Sequence, residues 1–212
     1  MSLISGTPSN AYILKELASE KKISVEEASH FLSFTYFSNP LFLMTMLNLI
    51  FPATSTFKII AIHYLSNLII GIILRKKAPQ ITANTLKKEA HNGGVLSKSI
   101  NKSMMTLLMI LGTITFYMLL TYIITNLVPT TPLTKTLISG FLEITNGLNN
   151  LKDLEIALKI KELIAVCIIS FGGLSIHTQV KSILEDTQMS YHQFLKGRVM
   201  QTIISASLIL FF

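Results

Sequence analysis

Cysteine is nearly absent from this chain of 212 residues. A single thiol, Cys167, excludes any internal disulfide and any cysteine-rich zinc site. The five histidines, at 30, 63, 91, 177 and 192, are scattered without metal-ligand spacing, so neither a metal nor any other cofactor is expected. Charge is scarce too. Only 14% of residues are Asp, Glu, Lys or Arg, against about 25% in soluble domains. No His-Glu-x-x-His, phosphate-binding-loop or Gly-x-Ser-x-Gly pattern occurs, so no enzyme is expected. The N-terminus, MSLISGTPSN, has neither the basic start nor the apolar core of a signal peptide. What is present is grease: half of the residues are apolar and the mean hydropathy is +0.55. A polytopic membrane protein is the reading, with membrane lipids as its surroundings.

The net charge of +7 does not point to nucleic acid, because of where it sits. Residues 75–103 carry seven basic side chains and one acidic one, and the other regions nearly cancel. A basic loop between apolar stretches reads as cytoplasmic. It divides the chain into a first helical unit (1–74), the loop (75–103) and a second unit (104–212). The loop either fixes topology alone or also meets anionic lipid or a protein partner.

Residues 9–30 read as an amphipathic helix, a turn and a new helix start. Ser24 with Glu27 three residues later forms a capping-box pattern. The uncharged stretch 31–51 is long enough, at 1.5 Å per residue, to cross roughly 30 Å of hydrocarbon. Asn39-Pro40 in its middle predicts a kink or two half-helices, because proline removes a helical hydrogen bond. Residues 57–74 form the next span, with His63 and Asn67 on one face; both are expected to bond between helices. The span 104–128 is the least ambiguous. The apolar part of residues 131–151 is too short to cross and predicts a short or re-entrant helix, then a polar turn. A span or broken span at 163–180 follows, and a short one at 199–212, with Lys196 and Arg198 before it as markers of the cytoplasmic side. The segment 129–162 then lies outside.

An internal echo appears between GTPSNAYILKEL (6–17) and GLSIHTQVKSIL (173–184). Each is followed by a serine-led helix start. The pattern fits either a transporter-type repeat or chance likeness among apolar helices.

Several ordered motifs carry a family resemblance: SGTPSNA at 5–11, EEASHFLSF at 26–34, NPLFL at 39–43, HYLSNLIIG at 63–71, GFLEITNG at 140–147 and SFGGLSIHTQVKSIL at 170–184. Together they resemble sporulation integral membrane proteins of the nucleoside recognition, or Gate, domain family, and in particular the C-terminal half of such proteins. The resemblance implies an all-α fold with broken or re-entrant helices, half of an inverted-repeat, transporter-like architecture in the cell membrane. It also implies a small polar solute such as a nucleoside, with a coupling ion, and a further N-terminal half or a second copy as partner. A non-transporting structural or assembly protein of the spore envelope is the alternative. Asn10 stands where the family pattern has glycine.

Candidate solute-binding residues are Glu143, Thr145, Asn146, His177, Gln179 and Asn39. A carboxylate at membrane depth needs a cation, a solute hydroxyl or an N–H as partner. Glu143 is therefore either a solute or proton site at a broken helix or a solvated carboxylate in an interfacial turn. His177 and Gln179 follow a Gly-Gly break and are either ligands or a polar cap at a helix end. Structural roles fall to Gly6, Pro8, Pro40, His63, Asn67, Gly147, Gly172 and Gly173, where breaks and close approaches are expected.

Overall fold

The computed structural model describes residues 6, 8–75 and 95–212. Among them the chain is all-α, with ten helices and no strand: α1 (Ser9–Ser19), α2 (Val25–Leu32), α3 (Pro40–Asn48), α4 (Ala53–Ile73), α5 (Val95–Leu127), α6 (Pro132–Leu142), α7 (Ile144–Lys152), α8 (Leu158–Phe171), α9 (Gly173–Leu184) and α10 (Tyr191–Phe211). Four stretches are long and apolar enough to cross a membrane: α4, residues 99–127 of α5, α8 with α9 (Leu158–Leu184), and α10. This is a polytopic membrane protein.

Most of the basic loop, residues 76–94, lies outside the described residues, as do Ser5 and Thr7 of the first motif. The expected loop boundary at 103 is corrected. Residues 95–103 are already helix, and the helix that carries the third span is 33 residues long. No proline or glycine interrupts them, so the helix runs on past the apolar part. The last span is corrected as well. It begins at Tyr191 rather than 199 and is 21 residues long, enough for about 30 Å.

The stretch 31–51 is not one crossing but two short helices around a non-helical connector at 33–39. Pro40 is the first residue of α3, where a missing N–H costs nothing. The Asn39 side chain accepts from the N–H groups of Leu41 (2.8 Å) and Phe42 (3.4 Å). The capping box before α2 forms in full. Glu27 N–H donates to Ser24 Oγ (3.1 Å), and Ser24 N–H donates to the Glu27 carboxylate (2.7 Å). The polar run after Gly147, expected as a turn, is instead part of α7.

Two apolar cores result. One joins Ala11, Leu14, Ala28 and Leu32 of the N-terminal helices to Val180, Ile183 and Phe194. These are the two segments that echo each other in sequence. The other joins Leu43, Leu47, Ile59, Leu148, Val166 and Ile209. Ion pairs mark opposite ends of the bundle. Lys15 (to Asp186, 3.8 Å) and Lys102 (to Glu16, 3.1 Å) draw α1, the start of α5 and the end of α9 to one end. Lys58 and Glu162 (2.6 Å) join the starts of α4 and α8. Helix α5 is peripheral, with only 6% of its apolar window buried in the bundle.

Candidate functional site

Two helix breaks face each other. Helix α6 stops at Leu142, and Glu143 takes an extended conformation (φ −149°, ψ 130°) that ends α6 and caps α7. Its Oε2 accepts from the Asn146 N–H (2.8 Å) and from the Thr145 hydroxyl. Glu143 is only 3% exposed. Among the described residues no cation lies within ion-pair distance of it. Gly140 and Gly147, on either side of the break, touch: a Cβ on Gly147 would overlap the Gly140 backbone. Asn150 closes the pair by donating to Ser139 Oγ (2.8 Å).

The second break separates α8 from α9. Gly172 (φ +94°) and Gly173 (φ +64°) both occupy the left-handed region, which other residues adopt only with strain. A Cβ on Gly173 would sit 3.3 Å from Glu143 Cα and from the Leu142 carbonyl oxygen. The glycine thus lets the two breaks press together. The answer to how such breaks survive in lipid lies in the flanking polar groups, because every freed backbone group there needs a partner. His177 Nε2 bonds the Phe171 carbonyl (3.1 Å), and its Nδ1 bonds the Tyr191 hydroxyl (2.7 Å). Gln179 donates to Thr113 Oγ1 (2.8 Å), tying α9 to α5.

A third break is the 33–39 connector. Gly6 (φ +66°) backs onto Asn39, with 3.4 Å between its would-be Cβ and that of Asn39, and Pro8 beside it is buried. Asn10 holds the connector by donating to the Thr35 carbonyl (3.0 Å) and hydroxyl (2.7 Å). From α4, Asn67 donates to the Tyr36 carbonyl and Tyr64 to the Ser38 carbonyl (2.7 Å). The Ser38 N–H faces His63 Nε2 (3.5 Å).

The structure therefore gathers Thr145 and Asn146 on the Glu143 carboxylate and sets the Glu143 backbone against Gly173. It keeps Asn39 with Gly6, and gives His177 and Gln179 partners within the protein.

A buried polar layer around Arg198 was not legible in the sequence. Arg198, expected as a charge marker outside the last span, is fully buried inside α10. Its guanidinium lies 4.0 Å from the centre of the Tyr36 ring. It donates to Gln201 Oε1, Asn67 Oδ1 (3.2 Å), the Ser33 carbonyl (3.4 Å) and the Ser170 carbonyl (3.5 Å). Ser170, Ser205 and Ser66 continue the layer as a chain of hydroxyls (3.1 and 2.8 Å). The signal was present as spacing: Phe194, Arg198, Gln201, Ser205 and Ile209 lie on one helical face. It shows only when the helix starts at 191.

An apolar hollow of ≈ 270 Å³ lies beside the facing breaks, lined by Gly140, Phe141, Cys167, Ile168, Phe171 and Val199 among others. Among the described residues no cluster of His, Cys, Asp and Glu could hold a metal ion.

Comparison with known proteins agrees with the motifs. The chain is similar to the sporulation integral membrane protein YlbJ of Bacillus subtilis (strain 168). The two are 27% identical over 247 residues, a match that takes in 97% of this chain and 60% of YlbJ. The matched part is the C-terminal half of YlbJ. The chain thus spans about three fifths of the length of the curated relative it matches. No family model matches the chain, and no solved structure does.

Proposed function

We propose that the chain acts in spore formation as a transporter-like protein of the cell membrane, recognising a small polar solute such as a nucleoside without enzymatic chemistry. The name of its relative YlbJ supports the sporulation role. One observation carries the solute reading: the Glu143 break lies against the Gly172–Gly173 break in the bundle. Opposed half-helix ends supply oriented N–H and C=O groups, and solutes bind at such places in transporters. Glu143 would take a solute hydroxyl, a coupling cation or a proton, with Thr145 and Asn146 orienting it. The basic segment at 75–103 would face the cytoplasm, and an N-terminal half or a second copy would complete the path.

The test is flux and spore yield in the Glu143→Gln variant. The amide retains the cap on α7 but not the charge. Normal membrane level with lost solute uptake in proteoliposomes, and fewer spores, is the expected result. Wild-type uptake in this variant would end the solute reading.

A non-transporting assembly role has its own support. His177 and Gln179 are engaged by protein groups, and the hollow beside the breaks is apolar. Normal spores from cells carrying Glu143→Gln, with no solute flux in wild-type vesicles, would favour it.

A further inference from the structure

We propose that the buried cluster of Arg198, His63 and Gln201 is an anion site, taking a small oxyanion, a carboxylate or phosphate group, beside the 33–39 connector.

The argument is a count of donors against acceptors. Gln201 has a fixed orientation. Its Oε1 accepts from Arg198, and its Nε2 donates to the His63 carbonyl (2.9 Å). A flipped amide would set donor against donor at Arg198 and acceptor against acceptor at His63. The same Nε2 therefore presents a second hydrogen to His63 Nδ1 (3.2 Å). The other ring nitrogen, Nε2, faces the Ser38 N–H (3.5 Å). A neutral imidazole has one N–H and one acceptor nitrogen. Whichever tautomer forms, one imidazole N–H points at another donor. An imidazolium would do so twice, beside a guanidinium.

Arg198 Nε–H likewise has no partner among the described residues. Both side chains are 0% exposed. The guanidinium also has no carboxylate within ion-pair distance among the described residues. Part of its charge is met by helix ends: Ser33 closes α2 and Ser170 lies in the last turn of α8. Each such terminus carries roughly half a negative charge. Those carbonyls offset charge but offer nothing to Arg198 Nε–H. What the cluster lacks is acceptor atoms bearing negative charge, and an oxyanion is that complement. A buried water could also accept from these groups, which makes water the rival to test.

The measurement is the unfolding midpoint of the protein in lipid nanodiscs, titrated with potassium formate or potassium phosphate against potassium chloride at matched ionic strength. The expected result is a rise that grows with the logarithm of anion concentration above the dissociation constant, roughly 5–10 °C at a hundredfold excess. Formate and phosphate arms distinguish a carboxylate from a phosphate ligand. A flat wild-type titration, or one that chloride reproduces, leaves ordered water as the occupant and overturns the proposal. Gln201→Glu places a carboxylate against Arg198. It should raise the midpoint without added anion and abolish the dependence. Arg198→Lys keeps the charge but loses the fork, and should weaken the apparent affinity at least about tenfold. Unchanged dependence in either variant also overturns the proposal. This site does not rest on the Glu143 reading, and the flux test there can fail without touching it.

Discussion

Glu143 and Arg198 are both buried in the bundle, at 3% and 0% exposure, and they are held in opposite ways. The carboxylate is satisfied by its own neighbours, two and three residues along the chain. The guanidinium reaches groups three, 28, 131 and 165 residues away. A local cap forms when the chain turns into α7. The Arg198 layer exists only after α2, α4, α8 and α10 have packed. One charge therefore stabilises a single helix start, and the other ties together four elements.

That contrast predicts a hierarchy of effects. Arg198→Met should be the most damaging, because it strands acceptors on several elements at once, each worth about 1–3 kcal/mol. A loss of about 3 kcal/mol in chemical unfolding in detergent is expected. A neutral result would mean that the layer adds nothing to stability. Gly197→Ala comes next. Its Cβ would run into the Ser33 carbonyl, which is backbone and cannot rotate away, so about 2–3 kcal/mol should be lost by overpacking. The helix pair α2–α10 should show it first, as faster amide exchange. Glu143→Ala removes one cap and should cost about 1 kcal/mol, with exchange confined to the start of α7. If it unfolds the bundle as Arg198→Met does, the contrast between local and long-range retention is wrong.

The smallest effect is at the exposed capping box. The hydrogen bonds from the Ser24 backbone and then from its hydroxyl hold the Glu27 carboxyl below its usual pKa of 4.5. A lowered folded value means that stability is present above that ordinary value and is lost as pH falls through the folded one. Acidification below about pH 4.5 should fray α2 in wild type, and Glu27→Gln should remove that pH dependence. Circular dichroism and amide exchange at α2 would register both.

How much of this was legible follows the same division. The membrane class was readable from scarce charge and long apolar runs. The capping box and the half-helix start at Pro40 were readable because each depends on two or three adjacent residues. The Glu143 and Gly172 breaks announced themselves as a carboxylate and paired glycines inside grease, but their contact did not. Gly173 meets Glu143 across 30 residues of sequence, through a missing side chain that carries no signal of its partner. Arg198 was misread because a charge near an apolar run looks like a boundary. Only the helix beginning at Tyr191 turns it inward. The start of α5 at Val95 was missed for the reverse reason, since polar residues do not forbid a helix that ends outside the hydrocarbon.

The sequence by itself determined that the chain lives in lipid, that it is helical, and where its helices must break. Hydrophobic runs, proline and glycine act on the nearest few residues, and a linear reading captures them. The tertiary structure alone decided which breaks meet and which charge is buried. Those outcomes depend on the partners that packing supplies, and in a medium without water a polar group stays buried only where other elements bring it a partner.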